Sequence, residues 1–338
     1  MRRSTRLLLT ALTPLILSAA SKAPGQHPFE QRPPQAPLEH PVSVNARIGA
    51  GDRWTYHFGL NQTTTTQRQA DDGRDAGSLE TTRLIQNATV ALRVVSVDAQ
   101  TRTATIEATF ERLLVVTGDD QEQTEFRWSK DGAVDDPGTD LDRVLTALAT
   151  STLTARVGRS GDVRGVAGYG RVIEAIDASP GFDRSALGLL APSAIGSTLG
   201  LIWTPGSVSG ASRNVTNVWT SARRASLSQI GAVSVTQELE VERIEDGVLK
   251  AGGEATLRLL PPSDPPGPGA PTIELLEQGG RMLISWDLDR GCSASASERL
   301  DFEAVLSLGP ARLGVTMRSE RSAALDAPHA EPTNPDDG

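Results

Sequence analysis

Apolar residues recur at every second position through most of this chain. In Thr103–Glu111, Ala104, Ile106, Ala108 and Phe110 share one face, while Thr105, Glu107, Thr109 and Glu111 share the other. A period of two belongs to a strand with one face in a core and the other in water. Val233–Arg243 repeats it, with Val233, Val235, Leu239 and Val241 inward and Ser234, Thr236, Glu238, Glu240 and Glu242 outward. Thr89–Val97, Glu254–Leu260, Arg281–Leu288 and Leu300–Leu308 read the same way. In the last two, Met282, Ile284, Trp286 and Leu288, then Leu300, Phe302, Ala304, Leu306 and Leu308, point inward. Trp54–Gln67, Thr124–Trp128, Ser151–Val157 and Val215–Ser221 are further strands. Turn chemistry at Asp98–Thr101, Ser160–Asp162 and Glu245–Gly247 falls between such runs, so sequence neighbours are expected to pair.

The middle of the chain changes period. Leu141, Val144, Leu145 and Leu148 lie at i, i+3, i+4 and i+7, one apolar helix stripe, and Thr139-Asp140 supplies its cap. Tyr169–Ala178 gives a second helix through Val172, Ile173 and Ile176, and Ser185–Ala194 a third. The fold class expected is α+β, mainly antiparallel β. It is a curved sheet or open half-barrel from two similar halves, with two or three short helices on the concave side.

The two ends of the 338-residue chain read differently. Residues 1–20 carry Arg2, Arg3 and Arg6, an apolar run from Leu7 to Leu17, and Ser18-Ala19-Ala20, the plan of an export signal. The apolar run is too short to span a bilayer. Residues 21–43 are a Pro-rich spacer expected to be disordered, 44–318 a single β-rich domain, and 319–338 a disordered polar tail. An internal duplication divides the domain into halves of about 44–200 and 201–318. The protein is therefore expected to act in the periplasm or outside the cell. Its formal net charge of −9 argues against nucleic acid and anionic lipid surfaces as partners, and no transmembrane segment is read in the mature chain.

Catalytic vocabulary is sparse. The four histidines are His27, His40, His57 and His329, and only His57 falls in the domain. Imidazole-based triads and metal sites need several such groups on one scaffold, so no metal, cofactor or catalytic residue is assigned. Cys292 is the one cysteine and reads as a small, partly buried side chain beside a turn. The pairs Asp71-Asp72, Asp119-Asp120 and Asp135-Asp136 lack calcium-loop spacing and read as turn residues. Asp287 and Asp289 share the outward face of a strand, and Gly165–Gly170 is only a fragment of a phosphate loop.

The order Gly51-Asp52-x-Trp54-x-Tyr56, then Val94–Asp98, then Ala108–Arg112, resembles an uncharacterised family of exported bacterial β-proteins. Ser160–Val163 and Trp203-Thr204-Pro205 occur in matching order. That resemblance implies no activity and no site residue. The architecture alone is also similar to the lipoprotein-carrier half-barrels of the bacterial envelope, which hold an acyl chain between sheet and helices.

The function expected is non-enzymatic. The first reading is a binding module for an apolar small molecule or lipid, its concave face lined by Ile106, Phe110, Leu239, Trp286 and Phe302. The alternative is a structural or protein-interaction module of the cell envelope, with an envelope protein as partner. A hydrolase built on Asp287 and Asp289 ranks third.

Overall fold

The computed structural model describes residues 42–44, 46–69, 75–119, 121–132, 138–158, 161–179, 192–203, 213–215, 218–227, 231–260, 272–308 and 311–326. The chain divides into two compact units, 1–36 and 37–338, and all described residues belong to the second. The export signal and most of the spacer, the tail beyond Asp326, and most of the helix expected over Ser185–Ala194 lie outside the described residues.

The elements run β1 (Val42–Val44), β2 (Arg53–Gln69), β3 (Asp75–Asp98), β4 (Thr103–Gly118), β5 (Gln123–Ser129), α1 (Asp140–Ala149), β6 (Thr152–Val157), β7 (Val163–Ala167), α2 (Gly170–Asp177) and α3 (Pro192–Trp203). There follow β8 (Arg213–Val215), β9 (Val218–Leu227), β10 (Gly231–Glu245), β11 (Val248–Leu259), β12 (Thr272–Asp287), β13 (Cys292–Leu308) and β14 (Ala311–Leu325). Twelve strands form one antiparallel sheet in the order β7-β6-β4-β3-β2-β14-β13-β12-β11-β10-β9, with β5 also paired to β4. Two meanders thus meet where the last strand, β14, pairs with β2. β1 and β8 make a separate two-stranded sheet.

The sheet is mostly antiparallel and not closed, as expected, and its curvature follows from two contacts. α3 packs against β7 and β9, the two ends of the strand order, and against β13 and β14 between them. Ten strand steps span about 48 Å in a flat sheet, whereas a helix of this length spans about 18 Å. Only a sheet wrapped around α3 reconciles them. The second contact is the ion pair of Arg223 on β9 with Glu298 on β13, four strand steps away.

Local chemistry explains most element ends. Asp246 and Gly247 at φ +48° and +74° make the tight β10–β11 hairpin, both in the left-handed region such a turn demands. α1 starts with a reciprocal cap: Asp142 N donates to Thr139 Oγ1 at 3.1 Å, and Thr139 N donates to Asp142 Oδ2 at 3.0 Å. Val144, Leu145 and Leu148 hold α1 on the sheet. Thr139→Ala is therefore expected to cost about 1 kcal/mol, read as a lower urea midpoint with the fold intact.

Several boundaries differ from the sequence reading. β14 runs to Leu325, so the stretch from Ser319 that reads as a tail begins inside a central strand. β1 starts at Val42, within the spacer. α3 was not expected at Pro192–Trp203, and the proposed boundary between halves at 200/201 falls inside it. Trp203, of the Trp203-Thr204-Pro205 segment, is the last residue of this helix. Val215–Ser221 splits between β8 and β9, whereas the strand expected beyond the Ser160–Asp162 turn is β7, paired with β6.

Candidate functional site

The interior contains two apolar clusters with a polar layer between them. The larger includes Tyr56, Phe58, Leu92, Leu153, Leu201 and Trp203, and the smaller is built from Val233, Val235, Leu257, Leu300, Phe302 and Met317. Along β14 the inward positions run Met317, Ser319, Arg321, Ala323. Along β13 they run Ala296, Glu298, Leu300, and along β10 Val235, Gln237, Leu239. Each strand crosses from one cluster to the other through a polar residue that alternation drives inside.

The polar layer is densely connected. Glu298 is 2% exposed and Arg321 7%, and the Arg223 side chain is 8% exposed. Arg223 donates to Glu298 Oε2, and Gln237 Nε2 donates to Glu298 Oε1 at 2.7 Å. Ser197 on α3 accepts from Arg223 Nη1 at 2.6 Å and from Arg321 Nη1 at 2.8 Å. Arg321 lies directly opposite Glu298 in the β13–β14 register, yet its bond goes to the helix. The Nε atoms of both arginines, Gln237 Oε1 and Ser319 Oγ are buried without a hydrogen-bond partner.

Two guanidinium groups therefore lie near one carboxylate, which is bonded by Arg223 and not by Arg321. Burial is the main cause that pushes the Arg321 guanidinium down to about 10; Arg223 adds to the fall and Glu298 opposes it. The folded value lies below that of an exposed arginine, so the unfolded chain holds this proton more tightly. The fold carries the full cost below about pH 10 and sheds it as pH rises further.

Arg321 also ends an apolar cavity of about 50 Å³ between α3 and the inner faces of β2, β3, β4 and β6. Phe58, Val90, Phe110, Leu153, Ile195 and Leu199 form its walls, with Gln62, Gln86 and Thr198 as further polar lining. Of the five residues expected to line a ligand site, Phe110 does so here. Ile106, Leu239 and Trp286 are packed in the larger cluster, and Phe302 sits in the smaller one. A wider depression of about 1200 Å³ is lined by acids and bases together, with Arg93 and Glu107 paired at 2.7 Å. It is open to water, which weakens such pairs.

The remaining candidates are spread over turns, strand ends and the core. His57 is exposed and sits 3.6 Å from Asp326. Cys292 is fully buried, deeper than expected, and burial pushes its thiol up. Asp287 Oδ1 accepts from Asp289 N at 3.0 Å and Arg290 N at 2.8 Å, closing the β12–β13 turn. Asp119 does the same for Gln121 and Glu122, whose amides hold its carboxyl below the usual range. Asp71-Asp72, Asp120 and Asp135-Asp136 lie outside the described residues. Gly165–Gly170 turns β7 into α2, with Gly168 at φ +99°. In the Gly51–Tyr56 motif, Trp54 meets Trp203 edge-on and Tyr56 OH donates to Ser293 O at 2.7 Å.

No family model and no curated protein matches the chain. Among solved structures, lipovitellin, from work on its lipid–protein interactions, aligns at TM-score 0.44 and 10% identity over 83% of this chain and 26% of its own. The chain thus spans about a quarter of that protein's length. The COG4313 outer membrane channel of Pseudomonas putida F1 aligns at TM-score 0.20 and 10% identity, over 83% of this chain and 97% of its own. OpdQ of Pseudomonas aeruginosa aligns at TM-score 0.22 and 10% identity, over 81% and 99%. Likenesses this weak carry no argument about what the chain does.

Proposed function

We propose that this is an exported, non-enzymatic binding protein that takes an apolar molecule between α3 and the inner face of β2, β3 and β4. The observation that carries the reading is the apolar cavity under α3, ended by a guanidinium that the interior does not fully neutralise. A core built for stability alone gains nothing from such a group, because an uncompensated buried cation is costly. The leader-like first twenty residues support export. A cavity of about 50 Å³ has room for little more than water, so a ligand enters as α3 moves away from the sheet.

Native mass spectrometry of the full chain, purified without detergent, tests this. Adducts that organic extraction removes are expected. A bare mass, together with no uptake of the apolar dye phenylnaphthylamine, would overturn it. The second reading, a structural or interaction module of the envelope, is favoured by how fully the interior is packed around Leu239 and Trp286, both 0% exposed. Cross-linking in envelope fractions that captures one stable protein partner, with no extractable ligand, would support that reading instead.

A further inference from the structure

We infer that the molecule held beneath α3 is a single-chain amphiphile with one carboxylate, whose head docks against Arg321, where the cavity meets the polar layer. This rests on the binding reading above and adds the chemistry of the head.

Three observations support it. First, the charges do not balance: among the described residues, Glu298 is the carboxylate that Arg223 and Arg321 face, leaving one positive charge in excess. A monoanion cancels it, whereas a doubly charged phosphate would leave a buried negative excess, which is costly. Second, donors stand ready. Both Glu298 oxygens are engaged by Arg223 and Gln237, and the Nε of each arginine is buried and unpartnered. A carboxylate accepts from a guanidinium fork through two oxygens, the geometry that a planar acid matches. Third, the residues lining the cavity reach from Arg321 on β14 across β2, β3 and β4 to Leu153 on β6, and most of them are apolar. The lining spans four strand steps, about 19 Å before curvature, so the space that opens when α3 lifts is elongated across the strands and suits a chain better than a compact ring. Ser197, which accepts from both arginines, places α3 over the head. Arrival of an acid gives the Arg321 guanidinium another acceptor in place of Ser197 and frees the helix to shift.

The test is calorimetric titration of the full chain with dodecanoate and, separately, with methyl dodecanoate, which has the same chain and no charge. The wild type is expected to bind the acid at least tenfold more tightly than the ester. Arg321→Met is expected to bind the two equally, with an unfolding midpoint equal to or above the wild-type value, since it removes the excess cation. Equal affinity of the wild type for acid and ester would overturn the inference while leaving the binding reading in place. That comparison needs no variant, so it decides the matter even if Arg321→Met fails to fold. A folded Arg321→Met chain that keeps the preference would also overturn it. Binding of neither compound overturns both proposals.

Discussion

Glu298→Gln is expected to destabilise the fold by about 3–5 kcal/mol, the range for removing one partner from a buried ion pair. The substitution keeps the side-chain shape and one acceptor oxygen, so packing is preserved and the effect is electrostatic. What remains is two buried guanidinium groups, Arg223 and Arg321, around a neutral amide. Gln237 loses as well, because its Nε2 bond at 2.7 Å now ends on an oxygen of a neutral group. For a unit of this size the melting temperature should fall by roughly 6–15 °C. Urea unfolding followed by circular dichroism and by tryptophan emission gives the free energy. Adding Arg223→Met to Glu298→Gln should recover much of the loss, since it removes half of the stranded charge; the double-mutant cycle then reports their coupling. A loss below about 1 kcal/mol would mean that the layer is hydrated and the pair behaves as a surface one.

The residues of this polar layer are those at which the hydrophobic alternation fails, and that governs what the sequence could reveal. β4 was legible because Ala104, Ile106, Ala108 and Phe110 are all apolar and all inward. In β10 the same period places Gln237 inward between Val235 and Leu239, and the polar residue reads as an interruption instead of a site. In β14, Ser319 and Arg321 at consecutive inward positions make a central strand resemble a polar tail. β3 starts at Asp75, but alternation marks it only from Thr89, since Gln86 interrupts the apolar inward positions ahead of Ala88 and Val90. α3 was missed for the opposite reason. Its sequence is apolar nearly all round, as a helix enclosed by a sheet must be, so no stripe marks its period. The sheet class and the capped helix α1 follow from local rules, whereas the Arg223–Glu298 meeting depends on curvature across four strand steps. Local inconsistencies of this kind concentrate where a fold does something besides fold.

Trp203→Ala is expected to cost about 3–5 kcal/mol and to act first on α3. Trp203 is the last residue of that helix and is fully buried. Its ring meets Trp54 edge-on, with centroids 6.1 Å apart and planes at 71°, which ties the helix to the start of β2. Gly161, at φ +82°, lies against it so closely that a Cβ there would clash with the Trp203 carbonyl oxygen. The chain can approach the helix end only with glycine at that position. Truncation to alanine empties a volume these rigid neighbours cannot refill. Trp203→Phe should be milder: the smaller ring still fills most of the site, and it removes an indole N–H that has no partner. Hydrogen exchange resolves where the damage lies. If α3 is the element that lifts to admit a ligand, its amides should exchange faster in Trp203→Ala while those of β2, β13 and β14 keep their relative protection. Faster exchange spread evenly over helix and sheet would instead make α3 an inseparable part of one cooperative unit, and a ligand beneath it would then have no way in short of global unfolding.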